Sequence, residues 1–560
     1  MNPIVRCVAL GAVAGWALAP IPAAAQLTNW VTVVNNGDQV PPGPAVANFN
    51  SYNQPSVNAA GLVVFRARSA GPDPTSGIYQ RDMSGANPII RLTARGEVVP
   101  QPNNTFYNGV LASFEEFPST PRIDAFTSLV ATRGQSQPVW TYLLAGADTR
   151  VGTSGIYANP GGVLTTAASL LGAAVEADQF ALSFPQYSVP GAPAGTRFDQ
   201  FPGSPAVSDG RYIAFKGNYT NPSDLLGKTG VYYRDMSFPG PGPAPTVLVA
   251  NSFTRIPNQP AGGTTTFGST APPSAANGRV VFTGLDIEEA PTLGGIYRSY
   301  LSSVPIVQTL DVLVGIGTPV PFESEADAFN LLGEGLSLST DGRYMSFWGA
   351  WGSETFQKTL VCPVDGNQDL IAFCNATYPN GYVVDIPLHQ GIFVHDAETG
   401  RIWPAAKTGQ DGVVDFLFWV FSGRPPGTTG GDEGAEPPRW RASGFSAVSR
   451  VAGQPLQVAY KAEKAGNSGI YLREGLGTFT PPVTVVETVN TPGTSIDPQA
   501  PADSRVISVG VERDGFRDGN LALTVSMLYV DPVDPEISLG WAGIYLNRVV
   551  GELVFADSFE

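Results

Sequence analysis

One short pattern recurs seven times along the chain and limits the folds that it can adopt. Each copy consists of glycine, then isoleucine or valine, then an aromatic residue. Successive copies lie 65 to 96 residues apart, with most spacings near 75. Self-similarity at such intervals is typical of an architecture built from repeated structural units. The copies begin at Gly77, Gly155, Gly230, Gly295, Gly391, Gly469 and Gly543.

Other elements accompany this marker at fixed places in the unit. An apolar stretch led by glycine precedes most copies, as in GRYIAF at 210–215. Asn-Gly or Asp-Gly introduces several of these stretches, which predicts tight hairpin turns, because such turns require φ > 0. A short segment such as PAVSDG (205–210) comes before the stretch, and a third element such as VLVANSFTRIP (247–257) follows the marker. Each unit therefore predicts about four short strands.

Four-stranded units repeated around an axis form a β-propeller. The sequence thus predicts an all-β, seven-bladed β-propeller with four-stranded blades of about 75 residues. Six or eight blades, an open β-solenoid or two β-sandwiches are the alternatives. WVTVVNNGDQVPPG (30–43) and GELVFADSFE (551–560) both resemble the third element. We therefore expect N- and C-terminal strands to pair within one blade and close the ring, which removes the open sheet edge.

The units resemble the TolB-type and WD-like propeller repeats of secreted bacterial proteins. The resemblance rests on SDGRYIAF…GVYYRD (208–235) and TDGRYMSF…GIFVHDAETG (340–400). These stretches contain an Asp-Gly turn, an apolar strand ending in Phe and an Ile-Tyr-like strand ending in Asp. The chain departs from that pattern in its GTPVP-like strand and in the length of its repeat. The resemblance implies a propeller of bacterial origin and little about function, since members of the group bind proteins, bind sugars or carry catalysis.

The first residues have the composition of an export signal. Arg6 precedes an apolar run of 13 residues, which is too short to span a bilayer, and PIPAAAQ then offers small residues for cleavage. We expect residues 1–25 to be removed near Ala25, leaving a secreted protein, periplasmic or extracellular, with a single propeller domain over 26–560. In an oxidising compartment, Cys362 and Cys374 are expected to form a disulfide.

The charge of the chain excludes some partners. Asp and Glu number 48 against 32 Lys and Arg, for a net charge of −16. Such a chain repels phosphate backbones, and no basic stripe is visible, so nucleic acid is not an expected partner. No later apolar run is long enough to predict a membrane span.

One region, at about 351–390, interrupts the regular spacing of the repeat. It contains both remaining cysteines and leads into the segment with the only two histidines. Loops on a rigid scaffold often bind ligands, and tryptophan or tyrosine can stack on sugar rings or anchor a protein. The competing interpretation is that these aromatic residues belong to blade cores, and that FLFWVF (416–421) is a buried strand. The ligand-binding candidates are Trp351, Trp403, Trp440 and Tyr378.

Two further features in this region are candidates for chemistry. His389 lies just before a marker strand and is the candidate for acid–base catalysis, although no nucleophile motif completes a triad. Asp365, Asn367 and Asp369 alternate as calcium ligands do, but the leucine and alanine at the sixth and twelfth positions depart from an EF-hand loop. A plain polar turn is the alternative, and calcium is the only cofactor that the sequence suggests.

These observations favour a non-enzymatic module that binds an extracellular glycan or protein. A propeller enzyme acting on an extracellular polysaccharide as a lyase or hydrolase is the first alternative. A structural protein of the cell surface is the second. The sequence identifies neither the ligand nor the oligomeric state.

Overall fold

The chain forms a ring of seven antiparallel blades, as the sequence predicts. The computed structural model describes residues 29–41, 47–71, 74–104, 111–137, 140–144, 147–151, 154–172, 184–194, 196–240, 242–304, 308–324, 326–364, 367–423, 437–477 and 481–549. The predicted export signal and the stretch GELVFADSFE lie outside the described residues.

Each blade has four strands, which we name A to D from the ring axis outward. In most blades, strand A consists of two short segments that both pair with strand B. In blade 3 the first segment is reduced to a single bridge between Gln200 and Asn218. We call the residues that join the two segments the axial link. Prolines occupy several links, for example Pro118 and Pro121, and proline interrupts a strand because it cannot donate a backbone hydrogen bond.

Blades 1 to 4 follow the chain order, and each completes its four strands before the next begins. In blade 1 the strands are Phe49–Tyr52 with Ser56–Val57, Leu62–Ser69, Ser76–Asp82 and Ile90–Ala94. In blade 2 they are Ser113–Glu116 with Arg122–Ile123, Val130–Gln137, Gly155–Ala158 and Thr165–Ser169. In blade 3 they are Ala206–Ser208, Tyr212–Thr220, Gly227–Asp235 and Val247–Asn251. In blade 4 they are Ser269–Thr270 with Ser274–Ala276, Arg279–Leu285, Gly294–Tyr300 and Asp311–Gly315.

Blades 5 and 6 carry the largest insertions, and blade 7 combines both ends of the described chain. In blade 5 the strands are Phe329–Leu332 with Ser337–Leu338, Tyr344–Leu360, Tyr382–Asp396 and Ile402–Lys407. In blade 6 they are Val413–Asp415 with Ser446–Ser449, Gln457–Lys464, Asn467–Glu474 and Val483–Glu487. In blade 7 they are Arg505–Gly510 with Phe516–Arg517, Asn520–Val530, Ser538–Arg548 and Val31–Asn35.

A few elements lie outside the blade sheets. Hairpins form from Trp140–Leu144 with Ala147–Val151, and from Leu417–Ser422 with Arg439–Gly444. The α-helix of the described chain, α1, spans Gln368–Thr377, and 3₁₀ turns span Pro160–Gly162, Pro185–Tyr187 and Gly493–Ser495. Within the described residues, no helix is long and apolar enough to cross a membrane.

The repeated marker begins or lies within strand C, where close packing requires its glycine. In blade 3, a Cβ on Gly230 would lie 2.5 Å from the Tyr232 hydroxyl oxygen and 2.8 Å from Cβ of Asn251. The Tyr232 ring in turn packs 4.9 Å from Phe198 and 6.1 Å from Phe215, measured between ring centroids. The marker thus encodes an aromatic ring that folds back over its own strand and fills the space between blades.

The third element is strand D followed by a turn that a side chain stabilises. In blade 3, the backbone N–H of Asn251 donates to Oγ1 of Thr254 at 3.0 Å, and Gly315 and Thr318 make the equivalent bond in blade 4 at 2.9 Å. An acceptor side chain three residues after the strand therefore explains the recurring threonine in ANSFT and GIGTP.

Strand pairing across the two ends of the described chain closes the ring, with Ser538–Arg548 as the C-terminal partner, while GELVFADSFE (551–560) lies outside the described residues. Val31–Asn35 pairs with Ser538–Arg548 and takes the strand D position of blade 7. The buried Asp497 carboxylate accepts hydrogen bonds from Nδ2 of Asn35 at 2.7 Å and from Nε1 of Trp541 and the Tyr545 hydroxyl, each at 2.9 Å. Blade 7 is therefore held together by polar side chains as well as by its strand ladder.

The second segments of strand A contact one another in a closed cycle around the axis. Buried serines join the strand A segments and axial links of different blades. Oγ of Ser56 donates to the Pro121 carbonyl at 2.8 Å, and Oγ of Ser337 donates to the Arg513 carbonyl at 2.6 Å. The axial links of different blades thus meet at the centre of the ring.

Candidate functional site

The extended hairpin of blade 5 carries α1 at its tip and forms a cap on one face of the ring. Its strands, Tyr344–Leu360 and Tyr382–Asp396, continue well beyond the blade. The predicted disulfide joins Cys362 to Cys374, with a Cα–Cα distance of 5.8 Å. The second hairpin, from blade 6, packs against this insertion through Phe421. We use the term cap for residues 352–389 together with 416–445, and cap face for that side of the ring.

The predicted binding aromatics separate into three places. Tyr378 and Trp440 are half-buried and pack together with the disulfide and Phe421 in a small core inside the cap. Trp351 is only 4% exposed and belongs to a blade core. Trp403 is half-buried on a different part of the ring, with the Arg401 guanidinium 4.2 Å from its ring centroid. The structure therefore brings together two of the four, and their role in ligand binding stays a prediction.

FLFWVF differs from its expected form. It was expected to be a buried strand, but Leu417–Ser422 forms a separate hairpin strand of the cap, in which Val420 is 59% exposed. The hairpin is amphipathic because only one side of it packs on the ring, with Gly444 against the Trp348 side chain. Trp348 itself is buried in the core, as expected from its position after the apolar strand.

His389 has a carboxylate partner on the cap face. Its Nε2 lies 3.0 Å from Oε2 of Glu354, and its ring stacks on Trp351 with centroids 5.9 Å apart. Both side chains of the pair are well exposed, at 42% and 68%. His395 is buried, and burial lowers its pKa to about 4, so it is a neutral core residue at physiological pH.

The predicted calcium ligands give no geometric support to a metal site. Asp365 lies outside the described residues. Oδ1 of Asn367 accepts a hydrogen bond from the Leu370 N–H at 3.0 Å and so caps α1, with Asp369 in the first turn. Among the described residues, no three acidic, histidine or cysteine side chains group as metal ligands would. Calcium binding stays a prediction.

Basic residues recur at one position of the repeat beside the axis. This position follows the aromatic of strand B and pairs with the second residue of the marker. The basic side chains are half-buried near the axial links, where Nη2 of Arg66 lies 3.9 Å from Glu116. Four blades have a basic residue there, Arg66, Arg133, Lys216 and Lys461, whereas the other three have Thr283, Trp348 and Thr524.

Glu334, in the axial link of blade 5, interacts electrostatically with one of these basic groups, Lys216. Partial desolvation by the surrounding protein raises the pKa of the Glu334 carboxyl. Among the neighbouring charges, that of Lys216 opposes this rise most strongly. Arg441 and Arg439 of the cap hairpin also oppose it, while Glu288 reinforces it. We call the region around Arg66, Lys216, Glu334 and Lys461 the axial mouth.

Lys461 has the most perturbed amine of the axial mouth. Its Nζ lies 3.9 Å from the ring centroid of Phe418 and 6.0 Å from that of Phe445. Burial lowers its pKa to about 8. An ammonium between two aromatic faces is attracted by the ring quadrupoles but has lost much of its hydration.

A polar groove lies on the same face, between blades 7 and 1. It has a volume of about 600 Å³ and is lined by Tyr52, Arg68, Thr524 and Ser526, with Asn367 of the cap beside them. The cap therefore reaches from blade 5 across the face as far as blade 1. The groove offers hydroxyl, amide and guanidinium groups, which suit hydrogen bonding to a polar ligand.

Sequence reasoning missed the axial mouth, although part of its signal is present in the sequence. Aligning the strand B copies places Arg66, Lys216 and Lys461 in register, one residue after the aromatic. Glu334 carries no comparable signal, because axial links differ in length and sequence between blades.

Comparison with known proteins finds solved structures of low overall similarity. No family model matches the chain, and no curated protein matches it. A Trypanosoma rangeli sialidase in complex with sialic acid is 9% identical with a TM-score of 0.33, over 81% of this chain and 60% of that one. A prolyl endopeptidase is 11% identical with a TM-score of 0.37, over 89% and 50%. The β-propeller domain of the Trilobed protease from Pyrococcus furiosus is 10% identical with a TM-score of 0.32, over 89% and 96%. The chain thus spans 60% of the length of the sialidase and half of the length of the prolyl endopeptidase.

Proposed function

We propose that this chain is a secreted bacterial propeller of the TolB-like kind that binds an acidic extracellular glycan on its cap face. The observation that carries the proposal is the placement of Arg66, Lys216 and Lys461 at equivalent repeat positions beside the axis, in a chain with net charge −16. Carboxylate-bearing sugars would meet positive charge there and polar hydrogen-bonding groups in the adjacent groove. The disulfide of the cap is compatible with export.

Titration calorimetry with polysaccharides of matched length tests this proposal. We expect polygalacturonate or alginate to bind mature protein, and neutral dextran not to bind. The double variant Arg66→Gln/Lys216→Gln should weaken binding at least tenfold, since each charged contact contributes about 1 kcal/mol or more. Arg401→Gln is the matched control, because this exposed arginine follows strand C, on the side of the ring away from the cap. Equal binding of acidic and neutral chains would contradict the proposal.

The pair formed by His389 and Glu354 supports a second candidate, an extracellular polysaccharide lyase or hydrolase. A histidine within hydrogen-bond distance of a carboxylate, here 3.0 Å, can serve in acid–base catalysis. Incubation of the same polysaccharides with the protein should then release new reducing ends, and His389→Ala should abolish their release. Binding without release would leave the binding module as the function.

A further inference from the structure

The axial link of blade 7 carries a cluster of charged side chains into the centre of the ring. Glu512, Arg513 and Asp514 lie in this link, Arg517 follows it, and Arg122 joins from blade 2. Arg122, Arg513, Asp514 and Arg517 are at most 6% exposed. We call these five residues the axial cluster.

The cluster contains three guanidinium groups but only two carboxylates, and two of the guanidinium groups pair with them. Nη2 of Arg122 lies 2.5 Å from Oε1 of Glu512, and Nη2 of Arg517 lies 2.7 Å from Oδ1 of Asp514. Arg122 also approaches Asp514 at 3.6 Å. Arg513 forms no ion pair with any described carboxylate, so the cluster carries one excess positive charge that is sealed from water.

The Arg513 side chain crosses the axis and reaches the opposite blades. Its Nη2 donates to the Ser204 carbonyl at 3.3 Å and its Nη1 to the Pro272 carbonyl at 3.4 Å, both long for such bonds. Its Nε has no hydrogen-bond acceptor. Burial, together with repulsion from Arg122 and Arg517, lowers its pKa to about 10, which leaves it charged at neutral pH.

The orphan donors extend to the neighbouring arginines. Nε of Arg122, Nη1 of Arg122 and Nε of Arg517 are also buried without a hydrogen-bond acceptor. Buried polar groups in proteins are nearly always hydrogen-bonded, and a buried charge requires a partner. Several unpaired donors around an uncompensated charge therefore indicate a negatively charged occupant.

Arg234 shows that this fold can bury an arginine without a counterion when its donors are satisfied. Its Nε and Nη2 donate to the Ala244 carbonyl at 3.1 and 2.8 Å, and its Nη1 donates to the carbonyls of Thr166 and Ala167 at 3.1 and 2.8 Å. Arg234 is 5% exposed, as sealed as Arg513 at 6%. The two residues differ in partners and in charged neighbours, not in burial.

We propose that the axial cluster binds a small monovalent anion, chloride in its simplest form, against the Arg513 guanidinium. The anion balances the excess charge and accepts hydrogen bonds from the unpaired donors. Because Arg513 touches blades 3, 4 and 7, the anion acts as a stabilising link across the axis. This site is independent of the glycan proposed for the cap face.

Thermal unfolding of the full mature chain in sodium chloride or sodium gluconate at equal ionic strength tests the proposal. Gluconate carries the same charge but is much bulkier than chloride and should not enter a cluster this deeply buried. We expect Tm to rise by about 1–2 °C for each tenfold increase in chloride above its dissociation constant. Equal Tm values in the two salts would overturn the proposal.

Two variants and a diffraction measurement locate the effect. Arg513→Met should lose the rise in Tm that chloride causes relative to gluconate. Arg234→Met, its matched control, should lower Tm in both salts but keep that chloride-specific rise. If Arg513→Met does not fold, crystals of the wild-type protein soaked in bromide decide the question. An anomalous peak within hydrogen-bond distance of Arg513 supports the site, and the absence of a peak there rejects it.

Discussion

The Lys461 ammonium lies 3.9 Å from the ring centroid of Phe418, which belongs to the cap hairpin of the same blade. Burial lowers the pKa of this amine to about 8 from 10.5. Below about pH 8 the folded protein must keep a poorly hydrated charge, whereas the unfolded chain keeps a hydrated one. The free energy of unfolding therefore contains a penalty from Lys461 that disappears as the pH rises from about 8 to 10.5.

Lys461→Met should remove this pH dependence. We expect the stability of the wild-type protein relative to Lys461→Met to increase between about pH 8 and pH 10, as measured by urea unfolding. Lys228→Met is the control, since Lys228 lies 3.3 Å from Asp224 outside the axial mouth. A pH-independent difference between wild type and Lys461→Met would contradict the prediction.

Gly230→Ala should destabilise blade 3, because the new Cβ would lie 2.5 Å from the Tyr232 hydroxyl oxygen. Overpacking of this kind costs about 1–3 kcal/mol. Gly227→Ala in the same strand is the control, since no heavy atom lies within 4 Å of its added Cβ, and it should change stability by less than about 0.5 kcal/mol. Denaturant unfolding measures the stability of both variants. Equal losses of stability would show that close packing does not require a glycine at the marker position.

Removal of the disulfide should loosen the cap and leave the ring folded. The double variant Cys362→Ser/Cys374→Ser removes a disulfide between residues that are 12 apart in sequence. A disulfide that closes a loop of this size stabilises the folded state by about 3 kcal/mol. Hydrogen exchange should therefore accelerate in α1 and its flanking strands, but not in blades 1 to 4. Uniform acceleration across the ring would mean that the cap is required for closure.

Asp497→Ala should weaken the closure of blade 7. The substitution leaves Nδ2 of Asn35, Nε1 of Trp541 and the Tyr545 hydroxyl without their shared acceptor, at an expected cost of about 2–4 kcal/mol. Asp497→Asn retains one acceptor oxygen and should cost less. Chemical unfolding monitored by tryptophan fluorescence checks this order of stabilities. An alanine variant as stable as the wild-type protein would contradict the prediction.

The repeat could be predicted from sequence because its marker performs the same packing task in most blades. The rings of Tyr79, Tyr232 and Tyr471 are fully buried and fold over glycines two residues earlier. The turns were also predictable, since the Asp82, Asp235 and Asp396 carboxylates accept backbone hydrogen bonds two residues on, as expected for hairpin ends. A local packing requirement that recurs along the chain leaves a visible pattern in the sequence.

The centre of the ring could not be predicted, because its contacts join residues that are remote in sequence. Arg122 and Glu512 are 390 positions apart, and Arg513 reaches Ser204 across 309. Each axial link is used once, so its charges have no counterpart in other blades. The cap was predictable as an insertion, but the separation of Trp351 and Trp403 from Trp440 depends on how the hairpins fold back.

The pairing of Val31–Asn35 with Ser538–Arg548 also constrains the timing of folding. One partner strand is synthesised near the start of the chain and the other more than 500 residues later. Six blades can assemble as the chain emerges, but blade 7 must wait for its last strand, so the N-terminal segment stays unpaired throughout synthesis. A ring closed in this way favours completion after synthesis of the whole chain, since contacts of such sequence separation form late.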